Sequence, residues 1–220
     1  PQCGSVLGAF YAAEREMAEV TDELTGRYEE IDLLYAISEI LGHTVRLEEA
    51  AHTIVREVSD VVGARRASIM VHDEETGLLR NVAARGFSAD GLTPVPVNDP
   101  ASVAARVFRE QRIIVNDPSD KLVQNPGSGS DPRAYKGQAF LSIPICYAAP
   151  GAGSRCVGVI NLTDRLAGDT FTPGEAKLVS AVANQIGAAI ENARLVARDL
   201  RRQRLQRELE LAHDLQLKPL

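Results

Sequence analysis

Residues 140–164 read FLSIPICYAAPGAGSRCVGVINLTD, and this stretch decides the fold. Two apolar, β-branched runs, Phe140 to Tyr147 and Cys156 to Leu162, flank a small-residue segment, Ala148 to Arg155. That is the pattern of an antiparallel hairpin joined by a loop. Side chains alternate between the faces of a strand. Leu141, Ile143 and Ile145 therefore make one apolar face, while Phe140, Ser142 and Pro144 point the other way.

Working upstream, Arg66 to His72 is a strand by the same alternation, with Ala67, Ile69 and Val71 opposed to Ser68, Met70 and His72. Gly77 closes a turn into a second strand, Leu78 to Arg85, and Ile113 to Val115 is a short one. Arg46 to Val62 carries Ala50, Ala51, Ile54, Val55 and Val58 on one stripe and stops at Gly63, the pattern of an amphipathic helix. Asp99-Pro100 opens a short helix that runs to Glu110. Together these elements predict an α+β unit built on an antiparallel sheet, with helices on at least one face.

The ends differ from the middle. In Ala9 to Leu41, Phe10, Met17, Leu24 and Ile31 recur every seven residues, and Ala13, Val20, Leu34 and Leu41 follow three behind. This is a coiled-coil seam, interrupted at Gly26 and Arg27. A single surface helix packed on its own domain is the alternative. Downstream, Thr172-Pro173-Gly174-Glu175 is a helix start: an N-capping Thr, Pro at the first helical position and Glu closing a capping box. Val179, Val182, Ile186, Ala189, Ala193, Val196 and Leu200 then hold heptad spacing, and the register slips after Leu200. A helix this long outreaches a small domain, so its second half needs a partner. The division expected is a terminal helix at 1–41, a globular unit at 42–197 whose first helix enters from about Tyr28, and a helical linker at 198–220. Homodimer contacts are expected at Phe10, Met17, Leu24, Ile31, Ile186, Val196 and Leu200.

Composition narrows the function. The 220 residues carry a net charge of −6, no Trp and three Cys. An acidic chain without a basic face argues against a nucleic-acid partner. No apolar run approaches the ~18 residues of a membrane span. Too few cysteines for a disulfide scaffold point to a reducing, cytoplasmic setting. The start at Pro1, without Met or a leader, reads as an excised piece. His43, His52, His72 and His213 are scattered, and no metal-ligand spacing, phosphate loop or catalytic signature is present. Neither a metal, a cofactor nor a catalytic residue is therefore expected. Cys146 and Cys156 flank the last hairpin and face each other across it, either as a redox pair or as two small core residues.

Residues 116–137 form a polar stretch, longer than a compact domain keeps unless it binds or covers something. Beneath it lies the mixed sheet face, suited to a small molecule; a partly solvated face under a loop is the alternative. The candidate pocket residues are Ser68, Met70, His72, Asn116, Asp117, Tyr135, Phe140, Ser142 and Asn161.

Several pieces together resemble a GAF domain between about Tyr28 and Ala197. They are Ala67-Ser-Ile-Met-Val, Phe140-Leu-Ser-Ile-Pro-Ile, Gly158-Val-Ile-Asn-Leu and the helix that begins Phe171-Thr-Pro-Gly-Glu. The resemblance implies a six-stranded antiparallel sheet with the terminal helices on one face and a ligand pocket on the other. It also implies a dimeric sensor of an unidentified small molecule, or a scaffold that binds nothing. The family's cyclic-nucleotide signature aligns with Asp164, Arg165, Phe171, Glu175 and Ala176; the first Asn and the final acid are replaced, which argues against a cyclic nucleotide. No bilin-attaching Cys stands at the family's usual place. The tail, Arg207-Glu-Leu-Glu-Leu-Ala-His-Asp-Leu-Gln to Lys218-Pro-Leu220, resembles the linker entering PPM-type (SpoIIE-like) serine/threonine phosphatase domains. That implies a covalently linked output domain regulated by a non-catalytic sensor. A ligand-free dimerisation spacer and a thiol-based redox module are the other readings.

Overall fold

The computed structural model describes residues 2–43, 47–87, 93–115, 139–149, 153–167 and 170–216. Helices α1 (Gln2–His43) and α2 (Leu47–Val62) lead into strands β1 (Ala64–Asp73), β2 (Leu78–Arg85) and β3 (Val95–Pro96). Helix α3 (Val103–Glu110), strands β4 (Ile114–Val115), β5 (Phe140–Ala149) and β6 (Gly153–Arg165), and helix α4 (Pro173–Gln216) complete the chain. The sheet has six strands in the order β3-β2-β1-β6-β5-β4, each neighbour antiparallel.

The alternation predicted from sequence sorts the faces. Ala67, Ile69, Leu141, Ile143, Ile145, Ile160 and Leu162 join one core with Ile37 of α1, the apolar stripe of α2, and Val179, Val182, Ile186 and Ile190 of α4. On the opposite face, Met70, Leu79, Phe140 and Val159 form a second core with Val103 and Val107 of α3. With both faces covered, the central strands lose the polar alternation of a half-solvated sheet: β6 is buried almost continuously from Cys156 to Leu162. The terminal helices share one face as expected, and α3 adds a helix on the other.

Local chemistry explains the boundaries. Gly63, at φ 66°, stops α2, and its carbonyl accepts from the Leu166 amide at 2.7 Å. The capping box forms: the Glu175 amide donates to Thr172 Oγ1 at 3.2 Å, and the Thr172 amide donates to Glu175 Oε2 at 2.7 Å. Helix α3 starts later than Asp99-Pro100. Ser102 caps it, accepting from the Ala105 amide at 3.2 Å, while Asp99 folds its own turn by accepting from the Ala101 amide at 2.9 Å.

Helix α1 runs through Gly26 as the single helix expected, because an exposed helical glycine costs only about 1 kcal/mol. Two expectations are corrected. The loop expected at Ala148 to Arg155 is largely ladder, with Tyr147 paired to Arg155 and Ala149 to Gly153, since partner hydrogen bonds hold residues of weak strand propensity. Ile186 is 1% exposed and belongs to the chain's own core, so it is not available to a second copy. Met17, Leu24 and Ile31 of α1, and Val196 and Leu200 of α4, are exposed. Phe10 lies where side chains are outside the described residues.

Candidate functional site

The face under α3 carries the polar groups. Ser68, Asn161 and Ser142 lie side by side across β1, β6 and β5, since Ser68 and Ser142 are both register partners of Asn161. The Ser142 hydroxyl donates to Asn161 Oδ1 at 2.6 Å, and the Asn161 amide donates to Ser68 Oγ at 3.3 Å. Both serines are buried. Buried hydroxyls away from water need partners, and this ladder supplies them. One step along the strands come Met70 and Val159, and one step the other way comes Phe140, a member of the same apolar cluster. Of the sequence-derived candidates, Ser68, Met70, Phe140, Ser142 and Asn161 are thus brought together. Asn116, Asp117 and Tyr135, with the whole 116–137 stretch, lie outside the described residues.

His72 stands at the far end of β1, its ring 4.8 Å from that of Phe108 on α3. Its carbonyl accepts from Arg194 Nη2 of α4 at 2.6 Å. Burial, with help from Arg194 and Arg155, lowers its pKa below the ordinary 6.5, against the opposing pull of Glu74 and Asp73. A histidine whose folded value lies below its unfolded one takes up its proton first in the unfolded chain. Stability is therefore lost as pH falls below about 6.5. Between about pH 7.5 and 5.5, above the carboxylate range, the melting temperature of a His72→Gln chain is expected to fall less than that of the parent. Equal slopes would refute this assignment.

Next to His72, sequence reasoning missed a charged convergence. Glu74, in the β1–β2 turn, receives Arg155 of β6 at 2.8 Å and Arg194 and Arg198 of α4 at 3.1 and 3.9 Å. Burial pushes the Glu74 carboxyl up, and the guanidinium groups of Arg155, Arg194 and Arg198 overcome it, leaving a net lowered pKa. The turn itself is held by Asp73, whose side chain accepts from the Glu75 amide at 3.0 Å. No local pattern in sequence announces three elements meeting on one carboxylate.

The positions aligned with the cyclic-nucleotide signature are occupied in structural contacts. Arg66 Nε meets Asp164 Oδ2 at 2.6 Å. Arg165 bridges to Glu175 at 2.5 Å, donates to the Thr170 carbonyl at 2.7 Å and lies 5.9 Å over the Phe171 ring. They tie the end of β6 to the start of α4.

The chemistry on offer is hydrogen bonding to a neutral polar group beside an apolar body. The Ser142 hydroxyl donates to an amide oxygen rather than to a base, so nothing in the ladder activates it as a nucleophile. Among the described residues no three His, Cys, Asp or Glu side chains gather as a metal site. No described helix is long and apolar enough to cross a membrane.

Comparison with known proteins agrees with this geometry. The GAF domain family model matches residues 46–190. The chain is 24% identical over 178 residues to a Nif-specific regulatory protein of Azospirillum brasilense, covering 78% of this chain and 27% of that protein. It thus spans little more than a quarter of the length of that curated relative. The GAF domain of an Acinetobacter phosphoenolpyruvate-protein phosphotransferase superposes with a TM-score of 0.60 at 17% identity, over 77% of this chain and 97% of that one. Free methionine-R-sulfoxide reductase of Neisseria meningitidis, in complex with its substrate, superposes at 0.57 and 13% identity, over 76% and 91%. These likenesses establish the fold, and the family model spans well over half of the sequence. The chain belongs to the GAF domain family of sensory and regulatory modules.

Proposed function

We propose that this chain is a small-molecule-sensing and dimerisation module that does not itself catalyse, and that it controls an output domain joined beyond α4. The observation that carries the reading is the Ser68–Asn161–Ser142 ladder, a row of neutral hydrogen-bonding groups on the sheet face turned away from the terminal helices. A ligand with one polar edge and an apolar body would take hydrogen bonds from that row and pack on Met70 and Phe140. Asn116, Asp117 and Tyr135 belong to the same proposal as further ligand-contacting residues.

Dimerisation is proposed through the exposed seams of α1 and α4, because a projecting apolar stripe is stabilised by a partner helix. The output domain is proposed to be a PPM-type serine/threonine phosphatase. That rests on the tail from Arg207 to Leu220, and the cytoplasmic setting rests on the cysteine count. A relative of which the matched region is only 27% is in keeping with an input module attached to a larger regulator.

A second reading, the ligand-free spacer, is favoured by one observation: Phe140 and Met70 are buried within the chain, packed in one cluster with α3 residues. Native mass spectrometry followed by a denatured spectrum of the same sample separates the two. The sensor reading expects a dimer with added mass that leaves on denaturation. A dimer at the bare chain mass is the spacer result, and a monomer would remove the dimer from both.

A further inference from the structure

Cys146 on β5 and Cys156 on β6 are register partners, and both are free thiols. Directly opposed residues of antiparallel strands have Cα atoms about 4.5–5.5 Å apart. That falls inside the roughly 4.4–6.8 Å that a disulfide bridges. The pair sits where the ladder shifts register between Ile145 and Cys146, leaving Val157 as the extra residue. Such bulges re-aim side chains, which eases the rotation two thiols need to meet.

The two sulfurs are not equivalent. Cys146 is half-buried and reachable; Cys156 is buried, with its Sγ–H donating to the Gly158 carbonyl at 3.2 Å. Burial, with the neighbouring Cys146, pushes the Cys156 thiol up to about 12. One thiol is thus placed to be attacked from solution or to attack, and the other is held back beside it.

We infer that Cys146 and Cys156 form a reversible intramolecular disulfide by exchange with a low-molecular-weight disulfide that enters at Cys146. The inference is independent of the ligand reading. The Cys146 thiolate attacks one sulfur of the small disulfide, forms a mixed disulfide and releases one small thiol. Cys156 then gives its proton to solvent and attacks the Cys146 sulfur, and the second small thiol leaves and is protonated. The protein loses two protons and two electrons, and the small disulfide is reduced to two thiols.

The test uses the full chain carrying Cys3→Ser, so that every adduct reports on the pair. Reduced protein is treated with glutathione disulfide and followed by intact mass and peptide mapping. The expected product is lighter by two hydrogens, with the peptides of Cys146 and Cys156 linked. Adding Cys156→Ser should stop the reaction at one glutathionyl group on Cys146; Cys156→Ala, apolar at the buried site, replaces it if the serine fails to fold. Adding Cys146→Ser should leave Cys156 unmodified. Conversion of the mixed disulfide should speed up about tenfold per pH unit, because Cys156 attacks only as thiolate. A Cys3→Ser chain that keeps stable glutathionyl groups, or that does not react, overturns the inference. So does a chain whose adduct forms first on Cys156.

Discussion

A Gly187→Val chain is expected to melt roughly 6–12 °C below the parent, a loss of about 3 kcal/mol. Helix propensity alone predicts the opposite sign, because glycine inside a helix is worth about 1 kcal/mol less than alanine. The difference lies in what faces the residue. A Cβ built at Gly187 drives into the carbonyl oxygen of Cys146, with the Cys146 carbonyl carbon at 2.9 Å. That obstacle is backbone in the β5–β6 ladder, and it has no rotamer with which to step aside. Helix α4 must lift off β5, and Val182, Ile186 and Ile190 lift with it from the core they share with Ile143 and Ile145. Gly26 provides the contrast: nothing lies within 4 Å of a Cβ there. Gly26→Ala is expected to gain about 0.5–1 kcal/mol. Thermal unfolding followed by far-ultraviolet circular dichroism reads both, and a Gly187→Val chain that melts at or above the parent temperature would falsify the close-contact account.

For the proposed dimer, a chain carrying both Val196→Asp and Leu200→Asp is expected to run as a monomer whose melting temperature no longer depends on concentration. Val196 is 59% exposed and Leu200 51%, so neither contributes to the chain's own core. Buried in a seam, each is worth about 1.5 kcal/mol or more, and twofold symmetry counts each twice. The total, about 6 kcal/mol, corresponds to some ten-thousandfold in dissociation constant. Charge repulsion between the new carboxylates adds to it. Sedimentation or native mass across a dilution series measures the change. An unchanged dimer mass sinks the seam; a variant that melts early even against the parent diluted to monomer would mean these residues stabilise the chain itself.

Much of the fold was legible because it is written in local pattern. The capping box at Thr172 to Glu175 and the faces of β1 and β5 follow from spacing alone. The same alternation placed Ser68, Ser142, Met70 and Phe140 on the sheet face away from the terminal helices. Ile186 shows where spacing stops deciding. A helix lying on a sheet and a helix in a coiled coil present the same three-four rhythm, and only the length of domain beneath them says which residues remain uncovered. Strand β3 was invisible because two residues, Val95 and Pro96, carry no period; they become a strand by pairing with Leu79 and Leu78. Pro96 is tolerated because β3 is an edge strand. The Glu74 cluster was illegible for another reason. Long side chains from a turn, a strand and a helix meet there through tertiary placement.

The sites where α4 touches the sheet also fix its mechanics. Gly187 rests on β5, Arg194 grips the His72 carbonyl and Glu74, and Arg198 is the last side chain to reach that carboxylate. From Arg194 to Gln216 the rod extends about 33 Å further, at about 1.5 Å per residue. It is a lever with its fulcrum at one end. A tilt of about 5° at the fulcrum, which displaces atoms there by only a fraction of an ångström, sweeps the far tip through about 3 Å. Sub-ångström adjustments of the β1–β2 turn are thereby geared up to movements as large as a side chain.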